Sequence, residues 1–349
     1  MKISAAVLRS DALLLATATI WGFAFVAQRI GMDDLGPFAY NAARYALGAL
    51  ALIPLILYRS RAASGKRHDV RLASLGSRGG SPSQAPVSEN DSSKAAIAAD
   101  APDSAAQKTK SKSRGLAARL IPPILAGSCM FIGASLQQIG LVSTTAGNAA
   151  FVTSLYVVIV PLIGVAFGRR VGIRGILAAA IAVAGLYLIT VGEGFVIAPG
   201  DRFELLGALF WAFHILIIGR FASDIDPVEL SAGQFAVCAF FSLIAALALE
   251  PAPFAGLVAA AVPVLYGGLF SCGIAFTLQI FAQRTAPPAH ASIILALEGL
   301  FGAIGGVLIL GEAATLRLLL GGALMLGAAI LSQIEPRSAS AEAASLQKP

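Results

Sequence analysis

The sequence predicts an all-α integral membrane protein: ten transmembrane helices in two inverted five-helix repeats, with a disordered cytoplasmic insert after the second helix. Three observations lead there. The chain is too apolar for water, it divides into ten stretches of membrane-crossing length, and its two halves resemble each other at fixed offsets. Of its 349 residues, 57% are hydrophobic and 13% charged, against roughly 25% charged in a soluble domain. A net charge of +6 would suit a nucleic-acid partner. The basic residues, however, gather in one loop and at the ends of apolar stretches, as they do on the cytoplasmic side of membrane proteins, so no nucleic acid is expected. Cys129, Cys238 and Cys272 lie in apolar stretches without paired spacing. They read as small core residues, with no disulfide and no metal site.

A span needs about 20 apolar residues. By that measure the stretches run approximately 11–29, 37–58, 120–142, 147–167, 173–192, 203–222, 229–249, 259–283, 289–310 and 316–334. The first follows Lys2 and Arg9 like a signal peptide. Its length, its Trp21-Gly22 and the spans behind it make it the first transmembrane helix. Between the second and third stretches, Arg59 to Arg119 is rich in Ser, Lys, Arg, Ala and Gly and holds twelve Lys/Arg against five Asp/Glu. Its core, Ser64 to Ser113, has too little apolar surface to offset chain entropy and is expected to be disordered. It reads as a solvated linker or as a polybasic segment touching anionic lipid.

Shifting the first half by 142 positions lays Leu136-Gln137 on Leu278-Gln279, Asn148-Ala149 on His290-Ala291, Leu155 on Leu297 and Gly164-Val165 on Gly306-Val307. Upstream of the insert the offset is 190, which pairs Trp21 with Trp211 and Pro37 with Pro227. The difference of 48 is the extra length of the insert, which therefore stands outside the repeat. The first unit is 1–192, including the basic insert 60–118; the second is 203–334; 335–349 is expected to be a disordered cytoplasmic tail. Five spans per unit is an odd number, so the second unit enters the membrane from the opposite side and the repeats are inverted. Arg169, Arg170 and Arg174 cluster on the side shared with Lys2 and Arg9, which places both termini in the cytoplasm.

In lipid, a polar side chain is costly and therefore a candidate for function. Glu298 lies near the middle of the ninth stretch and His214 just past the middle of the sixth. Glu298 could take up a proton, bind a cationic group, or satisfy a backbone break beside Gly299. His214 could titrate or tie helices together as a neutral ring. Arg44, two turns into the second stretch, could bind an anion or snorkel to the outer interface; its repeat mate is the neutral Gln234. The mates Gln137 and Gln279 could face each other across a pseudo-axis and line a polar cavity, or act as interhelical glue worth about 1 kcal/mol each. Trp21 and Trp211 suit a cavity wall or ordinary packing. Asn148 and His290 stand at matching helix starts, where capping is the default. Pro161 is expected to kink the fourth helix near Tyr156. Gly299, Gly302, Gly305 and Gly306 make the ninth helix a close-packing one. No zinc helix, nucleophile elbow or phosphate loop is present, so no enzyme activity, catalytic residue or cofactor is expected.

These residues resemble the drug/metabolite transporter (DMT) superfamily and its ten-helix EamA-type transporters. The resemblance rests on Trp21-Gly22-x-x-Phe25, on Ala146-Gly147-Asn148-Ala149-Ala150-Phe151 through Tyr156-Val157-Val158 to Pro161, and on Leu297-Glu298 with Gly311-Glu312. It covers the chain except the insert and the tail after Pro336. It implies cytoplasmic termini, two inverted units, and a central cavity lined by helices one, three, four, six, eight and nine. Family members often carry Pro after the Glu of helix nine, where this chain has Gly299. They also often close helix four with Gly-Glu, where this chain has Gly168-Arg169-Arg170. The expected function is an inner-membrane secondary transporter, an exporter of a small polar or amphipathic metabolite by alternating access. Glu298 and His214 would couple or recognise, while Gln137, Gln279, Asn148, Tyr156 and Trp21 shape the cavity. An uncoupled facilitator and a non-transporting scaffold using the insert are the alternatives. The expected partners are a small-molecule substrate and membrane lipid; the sequence carries no signal for an oligomeric state.

Overall fold

The computed structural model describes residues 5–76, 116–144, 146–168, 171–190, 198–310 and 314–332. Every regular element among them is helical. In order they are α1 (Ala5–Gly31), α2 (Pro37–Gly76), α3 (Leu116–Leu141), α4 (Ala146–Ser154), α5 (Tyr156–Ala166), α6 (Ile173–Thr190), α7 (Asp201–Phe221), α8 (Pro227–Leu249), α9 (Ala261–Leu265), a π-helix (Tyr266–Phe276), α10 (Thr277–Gln283), α11 (Pro288–Leu295), α12 (Glu298–Leu310) and α13 (Leu316–Ser332). Among the described residues eight helical stretches are long and apolar enough to cross a membrane; Ile173–Leu188 and Leu316–Ser332 are shorter apolar helices. The chain forms two compact units, one of Met1–Ile53 with Pro122–Pro349 and one of Pro54–Ile121. The second consists, where described, of the end of α2 and the start of α3. α2 runs on to Gly76, well past its expected end at 58, because Ala62, Ala63, Lys66, Arg67, Arg71 and Leu72 are strong helix formers. Most of the insert, the Arg169-Arg170 pair, Glu312 and the tail 335–349 lie outside the described residues.

The larger unit is arranged for lipid. Large apolar side chains point outward, among them Ile244, Leu247, Leu308 and Leu319. In water they would form a liability; against acyl chains they are at home. The polar groups are inside: Gln28, Asn41, Arg44, Gln137, His214 and Glu298 are all buried. With no hydrophobic force to join helices in lipid, close backbone approach does the work. A Cβ on Gly185 of α6 would stand 2.6 Å from the Gly321 carbonyl of α13, and these two helices pack along each other. A Cβ on Gly22 of α1 would stand 2.7 Å from the Gly302 nitrogen and 2.8 Å from the Glu298 carbonyl. Gly22 thus lets α1 lie directly on the first turn of α12.

Caps follow the repeat with one exchange. Asp226 precedes Pro227 and accepts from the Val228 and Glu229 amides at 2.9 and 3.4 Å, the usual start of a helix. Its counterpart before Pro37 is Gly36, which has no side chain to offer. Glu250, at the end of α8, supplies the missing carboxylate and accepts from the Phe38 and Ala39 amides at 2.8 and 3.0 Å. A carboxylate at that position also suits the helix dipole. At the other end of such helices, Gly168 closes α5 at φ +77° with its amide on the Val165 carbonyl at 2.9 Å, a left-handed cap that glycine adopts without strain.

Two helices are broken, and the breaks are 142 positions apart. Leu155 separates α4 from α5, and Ala296-Leu297 separate α11 from α12. The amides of Leu155 and Leu297 reach back only three residues, to Val152 at 3.2 Å and Ile294 at 3.1 Å. Pro161 lies within α5, and the break falls at Leu155, beside Tyr156, where its kink is expected. Its ring crowds the carbonyl four residues back, at Val157, and the turn ahead of that carbonyl is the one that tightens. α12 needs no proline for the same break.

Candidate functional site

The two breaks, the π-helix and the polar faces of α1, α2, α3 and α7 line a partly open cavity. Glu298 and Tyr156 are repeat mates, and each is the first residue after its break. They meet there: the Tyr156 hydroxyl donates to Glu298 Oε1 at 2.9 Å, and the Ser154 hydroxyl reaches the same oxygen at 3.4 Å. Among the described residues Oε2 has no hydrogen-bond partner. The break therefore does two things. It aims a carboxyl group into the cavity, and it leaves that group held on one oxygen and open on the other.

Aromatic rings form the opposite wall. Phe276, the last residue of the π-helix, lies 4.5 Å from the Trp21 ring and 5.9 Å from the Trp211 ring between centroids. The wide π turn exposes backbone carbonyls that α1 uses. Trp21 Nε1 donates to the Ser271 carbonyl at 3.3 Å, and Thr17 Oγ1 donates to the Ala275 carbonyl at 3.1 Å. Such π segments recur at functional sites. Trp211 Nε1 instead donates to Gln137 Oε1 at 3.0 Å, and Gln137 donates onward to Gln28 at 3.4 Å; Gln138 also donates to Gln28. His214 bonds through Nε2 to Gln234 at 2.9 Å, while its buried Nδ1 has no partner.

Six of the seven residues singled out from the sequence line this one cavity: Glu298, His214, Gln137, Gln279, Trp21 and Tyr156. The two glutamines do not bond across an axis. Gln137 is tied to Trp211, and Gln279 donates to Gln283 at 2.9 Å with its own buried Oε1 unpartnered. Asn148 lies in the first turn of α4, and its side chain falls outside the described residues. Arg44, expected at an outer interface or on an anion, is 3% exposed and lines the cavity. α2 packs against the π-helix, with Arg44 against Gly267 and Leu47 against Gly268, so a position two turns in already faces the interior.

Three groups escaped the sequence reading. Glu204 is fully buried on α7; Thr153, a cavity residue, donates to its Oε2 at 2.8 Å, and Oε1 has no partner. Gly140 makes room for it, since a Cβ there would stand 2.5 Å from Oε1. Asp11 takes His290 Nε2 at 2.7 Å, and the Ser332 hydroxyl meets His290 Nδ1 at 3.0 Å. His290 thus joins α1, α11 and α13 and does not cap its own helix. Asp201, which is Asp11 moved by 190 positions, accepts from Thr144 Oγ1 and from the Ala198 amide at 2.8 Å. The two aspartates close opposite ends of the bundle: Phe25 and Met32, at the far end of α1 from Asp11, pack with Leu141 and Ala149 beside the Thr144 turn.

No group of three or more metal-binding side chains exists among the described residues. A model described as the EamA-like transporter family matches residues 8–80, 103–191 and 198–333. A protein of Archaeoglobus fulgidus named "Uncharacterized transporter" is 27% identical over 315 residues, 88% of this chain and 80% of that one. A solved crystal structure shares the fold at a TM-score of 0.64 and 16% identity, covering 97% of this chain and 99% of that chain.

Proposed function

This chain belongs to the EamA-like transporter family of the DMT superfamily, a multi-pass membrane transporter and not an enzyme, and we propose that it is a secondary transporter working by alternating access. Its cargo is a small polar or amphipathic metabolite held in the cavity at Glu298, and its direction is export from the cytoplasm across the inner membrane. Ten spans form two inverted five-helix units, 1–192 and 203–334, with both termini in the cytoplasm. The observation that carries the reading is the meeting of Tyr156 and Glu298. Two residues 142 positions apart, each opening a half-helix, touch at 2.9 Å inside an apolar body. Repeat mates in contact lie on a pseudo-two-fold axis, and inverted-repeat transporters bind at broken helices near the midplane.

The clasps support the same reading. Asp11 with His290 and Asp201 with Thr144 are counterparts at opposite ends of the bundle. Rocking one unit against the other opens one clasp while keeping the other shut. Glu298, with one oxygen unheld, is the coupling group for a proton or for a donor on the cargo, and His214, Gln137, Gln279, Trp21 and Tyr156 shape the chamber. Asn148, at the matching position to His290, belongs to the opposite mouth.

The test compares the culture medium of bacteria expressing the wild-type chain, Glu298→Gln at equal membrane abundance, or no transporter. The expected result is at least one small metabolite raised in the medium by the wild type alone. Identical profiles for all three would remove the transporter role. Equal export by wild type and Glu298→Gln would remove Glu298 from it.

A further inference from the structure

The cavity contains a cation that no carboxylate among the described residues neutralises. Arg44 carries five N–H donors. Nε donates to Asn41 Oδ1 at 3.0 Å and Nη2 to the Tyr45 hydroxyl at 3.2 Å. The rings of Tyr45 and Tyr40 lie 4.6 and 5.5 Å from Cζ. All of these partners are neutral. No carboxylate among the described residues pairs with Arg44, and Glu298, the acid on the cavity wall, is engaged by Tyr156 and Ser154. A buried charge is costly unless it is paired, and neutral hydrogen bonds with ring contacts offset only part of that cost. The remaining guanidinium donors are not among the buried orphans of the structure, which leaves them facing the cavity that Arg44 lines.

We propose that Arg44 is the recognition residue for the carboxylate of an organic anion, with the apolar body of that cargo resting against Phe276, Trp21 and Trp211. This inference deepens the proposed function by naming the cargo class, and it rests on that reading in taking the cavity as the cargo site. A planar guanidinium matches a carboxylate in two parallel bonds. Among the described residues Arg44 is the single Lys or Arg on the wall, so one negative charge is balanced there, whereas a phosphate with nearly two would stay partly uncompensated. Tyr45 and Asn41 fix the fork in place. The matching position in the second repeat is the neutral Gln234, which holds His214. The chamber is therefore polarised, with its cationic pole on α2 and its acidic pole on α12.

The two tryptophans of the chain both line the cavity, so intrinsic fluorescence reports binding directly. The full-length protein in detergent is titrated with three probes of one shape: 3-phenylpropionate, 3-phenylpropanol and 3-phenylpropylamine. The expected result is binding of the carboxylate at least about tenfold tighter than the alcohol or the amine. Arg44→Gln is expected to abolish that preference, and Arg44→Lys to keep part of it. A purely structural Arg44 would lower thermal stability in both variants and leave the wild-type protein without a preference for the carboxylate. Should Arg44→Gln fail to fold, the wild-type ranking together with Arg44→Lys decides. Equal binding of alcohol and carboxylate, no response to the carboxylate at millimolar concentration, or an unchanged preference in folded Arg44→Gln each overturns the proposal. Export that depends on Glu298 without any preference among the probes would leave the transporter standing and the anion site refuted; a preference without export would do the reverse.

Discussion

Replacing Gly22 by alanine tests how the site is positioned. The added methyl would stand 2.5 Å from the Phe301 Cβ, 2.7 Å from the Gly302 nitrogen and 2.8 Å from the Glu298 carbonyl. Two of the three are backbone atoms, which cannot rotate aside, so α1 and α12 must separate. Overpacking of this kind costs about 1–3 kcal/mol. With an unfolding entropy of about 2.1 cal/mol/K per residue over 349 residues, that cost lowers the midpoint by roughly 1–4 °C. The assay is thermal unfolding of the purified protein in one detergent, with Gly327→Ala as its control, because a Cβ at Gly327 meets nothing within 4 Å. Transport should fall more than stability does, since the displaced helix begins with Glu298. A Gly22→Ala protein that melts and transports like wild type would refute the close approach of α1 to α12.

Other outcomes follow from single contacts. Glu250→Ala removes the carboxylate that accepts from Phe38 and Ala39 and should cost about 1 kcal/mol in thermal unfolding, with cavity binding preserved. Gln137→Ala leaves the Trp211 indole N–H without its acceptor at 3.0 Å; it should lower stability by about 1–3 kcal/mol and shift the fluorescence of Trp211. Asp11→Asn weakens, by removing the charge, and His290→Ala removes the 2.7 Å clasp between α1 and α11. Both should bias the transporter toward opening at that mouth, read as faster labelling of a cavity cysteine from the side of the chain termini, while Asp201→Asn does the same at the other face.

Much of this arrangement was legible in the residues because lipid makes polar groups conspicuous. Glu298, His214, Gln137, Gln279, Trp21 and Tyr156 stood out as polar or amphipathic side chains deep in apolar stretches, and they converge on one cavity. Repeat arithmetic places Leu155 opposite Leu297; both are break points, and the kink expected of Pro161 near Tyr156 falls at the first of them. For Arg44 the residues leave anion binding and snorkelling to the outer interface both open, because its repeat mate Gln234 is neutral. Symmetry argues about the fold, and a residue that recognises cargo is free to depart from it. Glu204 and Asp11 sit close to the starts of their helices, where an acid is ordinarily a solvated first-turn residue. Only the contact with Thr153 and with His290 reveals them as buried partners. The π-helix has no periodic signature at all. Gly267, Gly268 and Gly273 permit it, and the Tyr266 hydroxyl on the Ile20 carbonyl at 3.0 Å helps to hold it against α1.

The most direct measurement is the two-sided reach of the cavity. Ala24 lines it beside Trp21 and Gln28. In a chain with Cys129, Cys238 and Cys272 replaced by serine, Ala24→Cys is exposed to a membrane-impermeant maleimide from either face of oriented vesicles. The account predicts reaction from both faces, with the Asp11→Asn and Asp201→Asn backgrounds speeding opposite ones. A cysteine that reacts from one face only in all three backgrounds, or from neither, would contradict a chamber opened in turn to the two sides of the membrane.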